Sequence, residues 1–310
     1  MAEQILAPQD APTRAPTLSQ VRSARSWWGD VLRSFWRQKL PVAAGILLLL
    51  MALAFVFAPQ VAPYNPIRQF RREGLGPLGQ PLPPNAKFWL GTDGLGRDML
   101  SRLIWGGRIS LGIGFMASGI AVLIGLLIGG LAGFVGGRTD FMIMRFVDLM
   151  MSIPTFFLLI LLVVLFEPSV WVVTIVIALV SWTYPARLFR SQILTTREQT
   201  FILAARCLGL PGNRIFLRHV LPHLLPLMIV FLALGIPTTI FAEASLSFLG
   251  LGVPPPAPSW GSMIQDGVEY YRAAPWVVLL PGLAIMITVV CFNLLGAGLR
   301  DAMDPTRRGR

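Results

Sequence analysis

Residues 197–222 read REQTFILAARCLGLPGNRIFLRHVLP. This polar stretch separates two long apolar runs, and Arg187, Arg190, Arg197, Arg206, Arg214 and Arg218 crowd around it. A short basic connection between apolar runs stays on the cytoplasmic side of a membrane. The residues inside it predict a helical hairpin. Thr200 can cap a short helix; Phe201, Ala204, Ala205 and Leu208 recur at helical spacing; Gly209 stops it. Leu210-Pro211-Gly212-Asn213 makes the turn. A second short helix then carries Ile215, Phe216 and His219 towards Pro222. A loop that only returns the chain to the membrane needs no such order, whereas a docking surface for a cytoplasmic partner does.

Ala204-Ala205-Arg206, Gly209 and His219-Val220-Leu221-Pro222 resemble the EAA loop of ABC importer permeases. The resemblance implies that Leu203, Ala204, Ala205, Arg206, Gly209, Arg214 and His219 form an ATPase-coupling surface. In that family the loop's short helix fits a groove on the ATPase subunit and passes on its movement. One position departs from the pattern: Leu203 stands where the family usually has an acid, and the nearest acid is Glu198.

Composition sets the class independently. Of 310 residues, 55% are hydrophobic and 13% charged, about half the charge of a soluble domain. The mean hydropathy is +0.67. These values describe an all-α polytopic membrane protein. The formal net charge of +11 does not indicate nucleic acid, because the arginines sit in tails and loops and form no single basic face. Cys207 and Cys291 lie in the basic loop and an apolar run, so neither a disulfide nor a metal site is expected.

Outward from the loop, six membrane spans are expected at about 41–62, 110–137, 141–166, 168–186, 220–242 and 275–299. Residues 1–20 are rich in Pro, Ala and Thr and are expected to be disordered. Residues 21–39 alternate Arg with Trp27, Trp28 and Trp36, which suits a helix lying on the inner membrane surface. Together residues 1–40 form an N-terminal cytoplasmic tail. The membrane domain takes residues 41–305, with the coupling loop at 187–219 and outer loops at 64–108 and 244–272. Residues 306–310 are a short cytoplasmic tail. The outer loop 64–108 carries seven basic residues, Arg68 to Arg108, against the positive-inside tendency; span parity nevertheless requires it outside. Residues 244–265 are uncharged, but Pro254, Pro255, Pro256 and Pro258 forbid a continuous helix. This stretch reads as an outer re-entrant loop.

Three further segments are similar to dipeptide and oligopeptide permeases. They are Gly91-Thr92-Asp93-Gly94-Leu95-Gly96-Arg97-Asp98, the stretch ending Pro258-Ser259-Trp260-Gly261, and Leu299-Arg300-Asp301-Ala302-Met303-Asp304-Pro305. The first precedes the second span, with residues 102–110 as an amphipathic lead-in. The glycines of that segment are not a phosphate loop: the only lysines are Lys39 and Lys87, and neither follows a glycine. The chain is therefore identified as a member of the dipeptide, oligopeptide and nickel branch of ABC importers, with the type I permease fold. The resemblance implies a bacterial inner-membrane protein with both termini cytoplasmic and no cofactor of its own. ATP and Mg would be bound by two partner ATPase subunits. A homologous second permease would complete the path, and an extracytoplasmic binding protein would deliver a peptide, nickel, glutathione or a related solute. Asp93, Arg97, Asp98 and Trp260 are candidate contacts for that protein.

Two acids fall in or beside the spans. Asp148 can pair with Arg145 at i, i+3 or line the path; Glu243 is a second candidate for path or gate. As paired catalytic carboxylates they would have to meet from opposite faces of the membrane. His219 and His223 have i, i+4 spacing, but no Cys, Asp or Glu lies near them to complete a metal site. A channel or an ATP-independent transporter would leave the ordered hairpin without a purpose.

Overall fold

The computed structural model describes residues 27–303. The segments expected to be disordered (1–20) and to form the terminal tail (306–310) lie outside the described residues. Among the described residues every regular element is a helix, and the extended pairings are two isolated bridges, Leu75 with Pro81 and Thr92 with Asp98.

The chain is arranged around α4 (Met99–Val135), whose 37 residues span about 55 Å at 1.5 Å per residue. A hydrocarbon core is only about 30 Å thick, so α4 projects beyond it. The expected separate lead-in at 102–110 is the first part of this single helix. Asp98 starts it by accepting from the Ser101 amide at 2.7 Å, a cap that contributes about 1 kcal/mol.

The helices of the basic loop's end pack on α4 through glycine. A Cβ at Gly129 would lie 2.1 Å from the Ala186 carbonyl oxygen, and one at Gly125 or Gly133 would press on Pro185 or the Arg190 backbone. These three glycines, four residues apart, form one face that admits α8 (Thr183–Thr196) at backbone distance. α7 (Val170–Ser181) leads into α8 through a 41° bend. The expected fourth span, ending at 186, thus continues as helix for ten more residues, and Arg187 and Arg190 lie on it.

The expected third span at 141–166 is two helices. α5 (Gly137–Ser152) and α6 (Thr155–Val164) meet at 86°. Pro154 cannot donate within a helix and disfavours helical geometry in Ile153, which is extended with ψ 127°. The other long helices are α2 (Lys39–Val56), α11 (Leu221–Phe248) and α13 (Trp276–Met303). Among the described residues four helices are long and apolar enough to cross a membrane, or up to six spans if each bent pair is one.

The remaining elements trim the two ends. α1 (Trp27–Trp36) is the short helix expected on the membrane surface, but it also docks on protein: Val31 is buried with Ala302, Met303 and Val230. α3 (Ala58–Val61) ends the first span. α9 (Thr200–Cys207) and α10 (Gly212–Ile215) belong to the basic loop. α12 (Trp260–Gly267), the helical part of the 244–272 segment, packs on α13, α11 and α4.

Candidate coupling surface and transport path

The hairpin at 200–222 differs from expectation in two respects. The N-cap of α9 is Gln199, with no side-chain cap bond, and Thr200 is already helical. The second arm is not a separate helix. α10 runs through a π-helical stretch, Phe216–Val220, directly into α11, so Gly212–Phe248 is one 37-residue rod. Pro222 has no amide hydrogen to give, and it stands where the π stretch hands over to α11, so the irregular bonding falls at the residue that cannot donate.

The stop of α9 is as the glycine requires. Gly209 has φ 74°. Its amide donates to Arg206, and the Leu210 amide reaches back to Ala205 at 3.2 Å, the Schellman pattern. This end fixes which face of α9 points outward. Ile202 and Ala205 are buried with Phe189, Ile193, Ile215 and Val220. Burying Ile202 contributes about 1.5–3 kcal/mol. Leu203, Ala204, Arg206, Cys207 and Leu208 are exposed. The expected surface residues therefore divide: Leu203, Ala204, Arg206 and Arg214 face out, Ala205 holds the helix to the body, and His219 is half-buried further along the rod.

Asp148 pairs primarily across helices. Its carboxylate accepts from Arg187 on α8 at 2.6 Å, while the expected partner Arg145 is 3.7 Å away. Asp140 and Arg190 form a second bridge between the same helices. Two ion pairs thus clip α5 onto α8. Sequence periodicity points to the i, i+3 partner; it gives no sign of one 39 residues away.

Glu243 is fully buried near the opposite end of α11. It accepts from Ser110 of α4 at 3.0 Å and from Ser247 at 2.6 Å. Ser110 in turn accepts from the Trp260 amide at 3.2 Å, and Ser247 from the Val253 amide at 3.2 Å. One carboxylate therefore ties α4, α11 and the 249–260 loop together. In this conformation Glu243 lines no open space.

The four expected binding-protein contacts are interior. Asp93, Arg97, Asp98 and Trp260 are each less than 9% exposed. Asp93 accepts from the Arg97 guanidinium at 2.6 Å and lies 3.2 Å from that of Arg102. Both arginines also reach Asp266 at 3.0 Å. The Trp260 indole donates to the Leu103 carbonyl at 3.1 Å. As placed here, these side chains join the 64–98 segment and the start of α4 to the 249–272 segment, which together form the cap of this end, and they offer a docking protein no surface. Their motif does hold the cap together, because burying two arginines requires acids beside them.

The exposed cations of the cap are others. Arg68 and Lys87 both stand over the Phe70 ring, at 4.7 and 5.4 Å. Arg71 and Arg72 follow on the same exposed turn. The Lys87 ammonium, hydrogen-bonded to Glu73, holds that carboxyl below the ordinary carboxylate range. Sequence reasoning did not single out this patch, although the seven basic residues of the 64–108 loop were its signal.

Comparison with known proteins agrees with this architecture. Residues 121–309 match the family described as binding-protein-dependent transport system inner membrane component, and residues 26–84 match the N-terminal TM domain of oligopeptide transport permease C. The oligopeptide transport system permease protein OppC of Haemophilus influenzae is 37% identical, over 92% of this chain and 90% of its own length. The di/tripeptide permease DppC of Pseudomonas aeruginosa is 40% identical over 96% of each chain. The glutathione permease GsiD of Pectobacterium atrosepticum is 40% identical over 92% and 93%. An inward-facing structure of the MetNI methionine ABC transporter shares the fold, with a TM-score of 0.55 at 18% identity over 66% of this chain and 98% of that one. Family match, full-length relatives and fold thus agree: the chain belongs to the inner-membrane permease components of binding-protein-dependent transport systems, in the oligopeptide and dipeptide permease branch.

Proposed function

We propose that this chain is one of two permease subunits of an ATP-driven importer for short peptides. The observation that carries the reading is the outward face of α9, where Leu203, Ala204 and Leu208 are exposed on a helix whose other face is locked to the body. Exposed apolar and small side chains at the basic end of a membrane protein suit a soluble partner's groove. That partner is an ATPase subunit, which carries the ATP and Mg; this chain performs no covalent chemistry. The basic end lies in the cytoplasm, with both termini.

Coupling follows from continuity. α9 is joined to the 37-residue rod that ends beside Glu243 and the opposite cap. Glu243 lies about 33 Å along α11 from its start. A shift of α9 towards a second ATPase-bound loop therefore tilts a lever whose far end holds the 249–260 loop. ATP binding favours the arrangement open to the outside and hydrolysis restores the other, as alternating access requires. The π stretch between α10 and α11 is a natural place for the rod to flex.

The substrate is a di- or oligopeptide, a class supported by the names of the relatives; glutathione, itself a short peptide, is the second reading and rests on the GsiD relative. A binding protein delivers it to the cap, where Arg68, Arg71, Arg72 and Lys87 offer a cationic surface. The test is reconstitution of the chain with its second permease, ATPases and binding protein in proteoliposomes. ATP-dependent uptake of a labelled dipeptide or tripeptide is expected. ATP hydrolysis without uptake of any peptide, or uptake without ATP, would sink the reading.

A further inference from the structure

At the basic end, α8, α9, the π stretch, α11 and the last turns of α13 line an open cavity of about 1090 Å³, in which Arg218, His223 and Arg300 are exposed and His219 is half-buried. Arg218, His219, His223 and Arg300 line it, with Tyr184 and Gln192 as further polar groups. No Asp or Glu is among its lining residues. None of the four basic side chains takes part in an ion pair among the described residues. The arginines of α8 and its end are matched, Arg187 to Asp148, Arg190 to Asp140 and Arg197 to the Gly133 carbonyl at 3.3 Å, whereas Arg206 and Arg214 stand exposed on the hairpin. Retention of positive charge in the cytoplasm explains arginines in a loop. It does not explain why Arg218 and Arg300, drawn from two distant segments, share one cavity with both histidines of the chain. The volume is of the order of a small-molecule site, far larger than a single ion requires.

We propose that this cavity is an anion-accepting site on the exit side of the path, which takes the carboxylate of a short peptide as it leaves the membrane. The inference rests on the peptide-importer reading and adds to it a contact made by this chain itself. Arg218 and Arg300 supply the charge, in the fork geometry that matches a carboxylate. His219, His223, Tyr184 and Gln192 supply hydrogen-bonding groups, and the apolar walls of α8 and α11 accommodate side chains. The site also straddles moving parts. Arg218 and His219 ride on the π stretch next to the coupling helix, whereas Arg300 stands on α13. Any shift of the coupling loop relative to α13 changes how the donors converge, so occupancy and the state of the ATPase are linked through differential contacts.

The test uses the purified, nucleotide-free complex in nanodiscs of phosphatidylcholine. Binding of a fluorescent tripeptide with a free C-terminal carboxylate is compared with binding of its C-terminal amide. The free acid is expected to bind about tenfold more tightly, the effect of roughly one charge-assisted hydrogen bond. Arg300→Gln and His223→Gln should shrink that preference, and Arg300→Lys should restore part of it, with complex assembly as the folding control. Equal binding of acid and amide overturns the proposal. So does displacement of the peptide when phosphatidylglycerol replaces phosphatidylcholine, which would assign the cavity to a lipid phosphate. If neither peptide binds while ATP-dependent uptake persists, this inference fails and the importer reading stands; loss of all peptide uptake in the complete system fails the importer reading itself.

Discussion

Two buried or half-buried acids differ in what their removal does. Asp148 pairs with Arg187 at 2.6 Å with both side chains more than 40% exposed. Such pairs contribute about 0–1 kcal/mol. Asp148→Asn is therefore expected to lower the melting temperature slightly and leave uptake per folded molecule near that of the parent. The doubly reversed Asp148→Arg, Arg187→Asp protein should recover the loss; abolished uptake at normal abundance would instead place Asp148 in the path. Glu243 is another case. Glu243→Leu leaves the hydroxyls of Ser110 and Ser247 without their buried acceptor, at about 1–3 kcal/mol, and releases the 249–260 loop. Faster proteolysis within that loop is the expected signature, with Glu243→Gln milder because it keeps shape and one acceptor. Neither partner set was legible in the sequence. Arg145 is the i, i+3 neighbour that periodicity suggests, but the ion pair that closes α5 onto α8 uses Arg187, and Ser110 lies 133 residues from Glu243. Side-chain chemistry marks a group as needing a partner; only chain topology supplies one.

At the scale of elements, α4 and α9 make opposite demands on small residues. Gly129 lets the Ala186 backbone approach α4 so closely that any Cβ collides with it. Gly129→Val is expected to separate α4 from α8, at about 1–3 kcal/mol or more of overpacking, and to lower the thermal stability of the purified protein. Gly112 has nothing within 4 Å of its Cβ position, so Gly112→Ala is the neutral control. In α9 the small residue to test is Ala204. Ala204→Glu adds bulk and charge to the exposed face, whereas a charge at Ala205 would enter the core beneath the helix. Ala204→Glu is expected to give correctly inserted protein that retains less ATPase on purification. Gly209→Val, forced into a left-handed conformation, should cost about 1–2 kcal/mol and misdirect the hairpin, so that hydrolysis proceeds without transport. Full ATPase retention and unchanged substrate-stimulated hydrolysis in both variants would remove α9 as the transmission element.

For the whole molecule the property with a direct measurement is sidedness. Gln265, beside the Arg97–Asp266 contact of the cap, and Asn213, at the tip of the basic hairpin, are both exposed and lie at opposite ends of the rod and its neighbours. Cys207 is also exposed and must first be replaced by serine. In that background a cysteine at 265 is expected to react with an impermeant thiol reagent in intact cells, and one at 213 only after permeabilisation. Labelling at 213 in intact cells would invert the topology and with it the coupling scheme. Of the seven basic residues in the 64–108 loop, Arg97 and Arg102 are offset by Asp93 and Asp266, and Lys87 by Glu73. Arg68, Arg71, Arg72 and Arg108 lie close to span ends and run against the positive-inside tendency, which makes this labelling the decisive measurement.

The helical, membrane-spanning class, the stop of α9 at Gly209 and the small-residue face of α4 were all determined by the sequence alone. Each follows from local physics: uncharged length, a glycine's access to positive φ, and spacing at four residues. The tertiary structure alone decided three other things. The hairpin's second arm is the beginning of α11, because the π stretch carries the helix past Pro222 without a break. The third span breaks at 86° at Ile153–Pro154, where local signals permit a bend but do not set its angle. The Gly-Thr-Asp motif faces inward, because Arg97 and Arg102 can leave water only where Asp93 and Asp266 meet them. A polar residue's place inside or outside depends on charges that folding brings from elsewhere in the chain, and sequence spacing does not record that distance.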